Sequence, residues 1–204
     1  MKDQTRRTFI KNTAMTTAAV LTGTSALNAA SYRRIIGSNE RIRVGVVGFS
    51  DRFRGSLMPC FNALQKEQNF DIVALSDIWR LRREEGQAIL KEKSGHDITV
   101  HKNNEELYRA GGLDAVIIST ADFQHARHAI EAVRAGCHVY VEKPFAETME
   151  DNRAALKAIK ETGKIVQVGS QRRSGSNYQA AAEFVQAGKF GPVTMVELTW
   201  NVNQ

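Results

Sequence analysis

From Arg41 onward the chain alternates short runs rich in β-branched residues with longer amphipathic stretches, and that alternation leaves few folds open. A buried parallel strand reads as an apolar run, and a helical crossover must follow before its parallel neighbour can form. Repetition of the two patterns therefore specifies an α/β fold, a doubly wound parallel sheet covered by helices. Strands are expected at Ile42–Val47, Asp71–Leu75, Ile98–Val100, Ala115–Ser119, Val139–Val141 and Ile165–Val168. Helices are expected around Gly55–Gln65, Arg80–Lys93, Asn104–Arg109, Gln124–Arg134 and Met149–Lys160. Three of them run into Ser94-Gly95, Ala135-Gly136 and Thr162-Gly163, where a glycine can close a left-handed cap. Thr148 and Asp151 form a capping pair at the start of the fifth helix. A further amphipathic stretch, Tyr178–Ala187, precedes Gly191-Pro192 and a last alternating run, Val193–Trp200, expected to be a strand.

The first thirty residues read as an address. Thr5-Arg6-Arg7-Thr8-Phe9-Ile10-Lys11 is followed by Asn12–Ala30, which carries no charge and is rich in alanine and threonine. This charged head and mild apolar run predict a twin-arginine signal over residues 1–30, export to the periplasm, and cleavage among Ala26–Ser31. The alternative is a retained anchor, but the run is too polar for a comfortable span of about 20 apolar residues. No stable membrane association is expected after cleavage. Half of the formal charge of +6 sits in Lys2, Arg6, Arg7 and Lys11 against Asp3, and no later cluster of basic and aromatic residues suggests nucleic acid. Cys60 and Cys137 have no neighbours at metal-ligand spacing and read as small buried hydrophobes; no metal is expected.

The first expected strand runs into Gly48-Phe49-Ser50-Asp51-Arg52-Phe53-Arg54-Gly55, where a dinucleotide site places its glycine turn and offers helix N–H groups to a pyrophosphate. Counted from Gly48, Ser50 stands in the second glycine's place and Phe53 in the third's. Serine allows close approach; phenylalanine cannot be the helix-packing glycine, so the helix should start differently. The loop alone fits a nucleotide site or an ordinary strand-to-helix turn. Asp77, just past the second strand, can accept both ribose hydroxyls and repel the 2′-phosphate of NADP, or can cap the next helix. The first reading favours NAD over NADP, with Arg80 and Arg82 leaving some room for the latter. The expected domain is thus Rossmann-type.

Asp114–Thr120, His125, and Ala135-Gly136-Cys137-His138-Val139-Tyr140-Val141-Glu142-Lys143-Pro144-Phe145 resemble the glucose-fructose oxidoreductase and inositol dehydrogenase family (Gfo/Idh/MocA). The resemblance runs from about Arg41 to Trp200, and its most specific piece is Val141-Glu142-Lys143-Pro144. It implies an NAD(P)-dependent oxidoreductase of sugars, inositols or related polyols, with a small carbohydrate-like substrate as partner. By that resemblance Lys143 binds and polarises the reacting hydroxyl or carbonyl, and Glu142 helps hold the nicotinamide ribose. An ammonium at a strand's C-terminal end also suits a developing alkoxide on physical grounds; the other reading is an exposed lysine before a structural proline. A cis bond before Pro144 is a further expectation. Gly48, Phe49, Ser50, Arg52, Asp77, Thr120, His125, Glu142, Lys143 and Gln171 make up the cofactor-contact set, and Arg172 and Arg173 read equally as surface charge or as part of the same pocket.

The implied organisation is a nucleotide-binding domain over residues 41–170 and the start of a substrate domain over 171–204. The family's C-terminal α/β domain, which carries most of the substrate pocket, a catalytic aspartate and histidine and the usual oligomer contact, is expected to be truncated. Such a chain would bind nucleotide and turn over poorly; the full-length form would be a homo-oligomer. Two other functions fit the same residues: a glycosidase using tightly held NAD, and a non-catalytic nucleotide-binding protein.

Overall fold

The structure, a computed structural model, describes residues 41–199. The segment expected to be a twin-arginine signal, and Trp200, lie outside the described residues. Six strands form one sheet: β1 Ile42–Val47, β2 Phe70–Ser76, β3 Thr99–His101, β4 Ala115–Ile118, β5 His138–Val141 and β6 Val166–Val168. Their order is β3-β2-β1-β4-β5-β6, and every pairing is parallel. The strand order reverses between β1 and β4, so the loops leaving those two strands diverge and open a crevice at the C-terminal edge.

Helices α1 Met58–Leu64, α2 Arg80–Ser94, α3 Asn104–Ala110, α4 His125–Arg134, α5 Met149–Thr162 and α6 Ser176–Gln186 connect and follow the strands. Alternation along the strands supplies two cores. Val44, Val46, Ile72, Leu75 and Ile117 pack with Leu57, Met58 and Leu90 under α1 and α2. Val47, Val116, Ile118 and Val139 face the other way, toward Leu107 and the small residues Ala129, Ala132 and Ala158, which let α4 and α5 approach closely. Gly95 and Gly163 take the left-handed caps expected of them, with φ of 71° and 64°. Asp151 N–H donates to Thr148 Oγ1 at 3.0 Å, and the threonine hydroxyl donates to the Asp151 carboxylate at 2.6 Å.

Three local expectations are corrected. The first helix does not begin at Gly55: Asp51 and Arg52 open a helical turn that widens into a π-turn, Phe53–Leu57, before α1. Pro59 explains the widening. It has no N–H to give the carbonyl four residues back, and its ring would press on that carbonyl in a regular α-turn. Cys60 is exposed, because the helix turns Phe53, Leu57 and Met58 inward and leaves Cys60 on its outer face; Cys137 is buried, which pushes its thiol pKa up. Val193–Thr199 forms no strand, since no other described strand offers its backbone a ladder.

Candidate functional site

After β1 the chain turns at Gly48 with φ of 88°. A β-carbon there would stand 2.8 Å from Thr120 Cγ2 and 3.2 Å from the Ser119 carbonyl oxygen, so a residue without a side chain brings this turn against the loop after β4. A chain of hydroxyls fastens the contact. Ser119 Oγ donates to the Gly48 carbonyl at 2.9 Å, Ser50 Oγ donates to Ser119 Oγ at 3.1 Å, and Phe53 N–H donates to Ser50 Oγ at 3.2 Å. Ser50 thus does more than tolerate close approach: it caps the helical turn that follows, whose other first N–H groups have no intrahelical acceptor.

Phe53 and Phe49 do not face the crevice. Both rings are fully buried, 5.6 Å apart, and Phe49 packs on α2 at Gly86. A β-carbon on Gly86 would meet Leu75 Cδ2 at 2.5 Å and Phe49 Cγ at 2.9 Å. The close-packing glycine absent from the turn is therefore supplied by the helix on the other side of the ring. Only the main chain of Phe49 remains at the site, its N–H donating to Asp77 Oδ2 at 2.8 Å.

Asp77 also accepts from Trp79 N–H through Oδ1 at 2.8 Å, so backbone donors fix the carboxylate at the end of β2 from two sides. Gly48, Phe49, Ser50, Asp77 and Thr120 border a cleft of about 1310 Å³ between the loops after β1, β2 and β4 and helices α3 and α4. The arginines that left room for a 2′-phosphate are occupied. Arg82 binds Asp51 at 2.7 Å and Glu85 at 2.8 Å, and Arg80 pairs with Glu84 at 3.0 Å. The Glu85 hydrogen bond raises the Arg82 pKa above its already high range; burial opposes it, and the Asp51 hydrogen bond and the charges of Asp51 and Glu85 add to the rise.

Two features of this cleft escaped the sequence reading. Ile78 and Trp79 stand exposed on its wall, and the signal was available in two large apolar residues directly after a strand-terminal aspartate. His128 shares a 3.1 Å hydrogen bond with Thr120 Oγ1. Burial lowers the His128 pKa, Arg127 and His125 lower it further, and Glu131 opposes them.

The remaining predicted residues gather at the ends of β5 and β6. Glu142 is 3% exposed; its Oε1 accepts from Arg52 Nε at 3.0 Å and Gln171 Nε2 at 2.7 Å, and its Oε2 accepts from Lys143 N–H at 3.2 Å. Gln171 also donates to Tyr140 Oη at 2.9 Å. This network joins the helical turn after β1 to the loops after β5 and β6. Lys143 is exposed, its ammonium makes no hydrogen bond or ion pair among the described residues, and the bond to Pro144 is cis. His125 lies apart from the cleft surface: it is 1% exposed, with Nδ1 2.6 Å from the Pro144 carbonyl oxygen and Nε2 3.2 Å from that of Thr120. The histidine read as a cofactor contact is instead enclosed between two loops. Arg172 and Arg173 are exposed.

Residues 42–170 match the oxidoreductase family with an NAD-binding Rossmann fold, GFO_IDH_MocA. The chain belongs to this family. Among curated members it is 36% identical over 103 residues to scyllo-inositol 2-dehydrogenase (NAD(+)) of Bacillus subtilis, covering 49% of this chain and 30% of that protein. It is 34% identical over 158 residues to inositol 2-dehydrogenase of Rubrobacter xylanophilus, covering 76% of this chain and 42% of that one. Among solved structures, the WlbA dehydrogenase from Bordetella pertussis in complex with NADH and UDP-GlcNAcA superposes with a TM-score of 0.65 at 26% identity, covering 74% of this chain and 43% of the other. The chain thus spans less than half the length of the members it matches. Membership makes this a Rossmann domain of an NAD-dependent oxidoreductase family.

Proposed function

We propose that this chain carries the nucleotide-binding portion of an oxidoreductase that moves hydride between NAD and a sugar, inositol or related polyol. The observation that carries the reading is the arrangement along one sheet edge: Asp77 fixed at the end of β2 on the cleft, and the unpaired ammonium of Lys143 at the end of β5. Gly48 and Ser50 would lie against the pyrophosphate, and Asp77 would accept from the adenosine ribose. With Arg80 and Arg82 already bound to carboxylates, the site favours NAD over NADP. NAD when bound supplies the hydride-accepting ring. Lys143 would then donate a hydrogen bond to the substrate oxygen and stabilise the negative charge that develops there as the hydroxyl proton passes to water and the carbinol hydride to that ring. Glu142, anchored by Arg52 and Gln171, would set where Lys143 starts.

Lys143→Met tests the assignment. Its affinity for NAD is expected to stay within about threefold of wild type, while hydride transfer to a panel of inositols and sugars falls about a hundredfold or more. Turnover that survives the substitution would remove Lys143 from the chemistry. NAD binding without oxidation of any polyol by the form that also carries the family's substrate domain would favour a non-catalytic nucleotide-binding protein.

The paired arginines and uncharged run at the N-terminus support export of the folded, cofactor-loaded protein to the periplasm. Replacing Arg6 and Arg7 by lysine should leave the protein in the cytoplasmic fraction. Unchanged export of that variant would overturn the route.

A further inference from the structure

The β4–β5 ladder ends with Ile118 against Val141, and the last backbone bond across it runs from Glu142 N–H to the Ile118 carbonyl at 3.0 Å. Past that point one loop continues as Ser119-Thr120-Ala121, with Thr120 on the cleft, and the other as Lys143-Pro144-Phe145. No backbone hydrogen bond joins Thr120–Ala121 to Lys143–Phe145 among the described residues. The His125 imidazole does. Its Nδ1 lies 2.6 Å from the Pro144 carbonyl oxygen and its Nε2 3.2 Å from the Thr120 carbonyl oxygen, with the ring 1% exposed.

We infer that His125 is a positioning residue, a buried clamp that holds the loop bearing Lys143 against the loop bearing Thr120. The inference deepens the proposed function, since it gives the distance between the nucleotide cleft and Lys143 a physical determinant. A carbonyl accepts only from a donor, so the ring donates to both loops at once only as imidazolium; the neutral ring, protonated at Nδ1, donates to the nearer Pro144 carbonyl and still ties the Lys143 loop to the start of α4, which follows Thr120, whereas an apolar side chain of similar size could fill the space but tie neither. The ring is rooted in the first turn of α4, whose Ala126, Ala129 and Ala132 are buried against the sheet, so the clamp is anchored in the rigid part of the domain. Pro144 has no N–H of its own, and its carbonyl is the handle by which the tail of the Glu142-Lys143-Pro144 turn is held.

Amide hydrogen exchange on the full chain, without nucleotide, reads the clamp directly. In His125→Ala, exchange at Gln124 and Lys143, whose amides donate to the Ala121 carbonyl and to Glu142 Oε2, should rise tenfold or more while β2, Phe70–Ser76, keeps its wild-type protection. His125→Gln retains an amide donor and should bring Lys143 back to within about threefold of wild type. Wild-type rates in both loops of folded His125→Ala would overturn the inference. So would a uniform rise that includes β2, which marks a residue needed only for stability. Should His125→Ala fail to fold, His125→Leu takes its place: loops protected in His125→Gln and opened in His125→Leu support the clamp, and equal protection in the two defeats it. Titration of the wild type with NAD is run alongside. Failure there would sink the proposed function and leave the clamp to stand or fall on exchange.

Discussion

Asp77→Ala should weaken NAD binding by about tenfold to a hundredfold, the loss expected when hydrogen bonds to a charged acceptor worth roughly 1.5–3 kcal/mol are removed. The carboxylate has two tasks in this structure, and a single variant would confuse them. It accepts from Phe49 N–H and Trp79 N–H at 2.8 Å each, which shapes the turn around the crevice, and in the proposed site it accepts from the ribose. Asp77→Asn separates the tasks, because the amide keeps an oxygen for one backbone donor and discards the charge. Without that charge the 2′-phosphate of NADP is no longer repelled, so the ratio of NADP to NAD dissociation constants should fall at least tenfold in Asp77→Asn. Calorimetric titration of wild type and both variants with each nucleotide decides the matter. Equal weakening toward NAD and NADP would reduce Asp77 to a fastener of the turn, and unchanged affinity for both would place the nucleotide elsewhere.

The ease with which Asp77 was found, and the difficulty of the turn before it, have one physical source. A carboxylate at the end of an apolar run is visible because polarity changes at one position, and the six strands were visible from their runs of β-branched and other apolar residues, even at the edges, where β3 and β6 also carry Thr99, His101 and Gln167. Each observed strand bound falls within one residue of its expected place. The turn depends on contacts between residues far apart in the chain. Phe53 in a glycine's place reads as damage until Gly86, 33 residues later, is seen to make room for the Phe49 ring that packs with it. Pro59 lies inside the expected helix Gly55–Gln65, and its effect is a widened turn with Phe53 and Leu57 inside.

The site residues divide along the same line. Resemblance to the family's Glu-Lys-Pro motif singled out Glu142 and Lys143, but spacing does not reveal that Arg52 and Gln171 spend their donors on Glu142. Nor could periodicity tell a histidine facing a cofactor from one enclosed between two carbonyls. His125 and His128 share a face of α4, and only the fold assigns the first to Pro144 and the second to Thr120. The expected strand at Val193–Thr199 failed for the complementary reason: alternation describes a face, and a strand also needs a neighbour.

Arg52→Ala should lower the unfolding free energy by about 2–3 kcal/mol, toward the lower side of what breaking a buried ion pair costs. The asymmetry of the pair sets the figure. Glu142 has a side chain 4% exposed and cannot turn to water when Arg52 is lost, whereas the Arg52 side chain is 43% exposed and can be rehydrated when Glu142 is lost. Gln171 Nε2 and Lys143 N–H would remain on the carboxylate, too few donors for a buried charge. Neutralising that charge should therefore rescue the variant: Arg52→Ala with Glu142→Gln is expected to be more stable than Arg52→Ala alone, and Glu142→Gln alone to lose less than Arg52→Ala. Urea unfolding of the four proteins forms a double-mutant cycle that measures the coupling without assuming either single value. An Arg52→Ala midpoint equal to wild type would mean that Gln171 and the backbone satisfy Glu142 unaided, and Arg52 would then be free to meet the pyrophosphate. A large loss with rescue fixes Arg52 to Glu142, and makes the start of the helix after β1 part of the same rigid unit that carries Lys143.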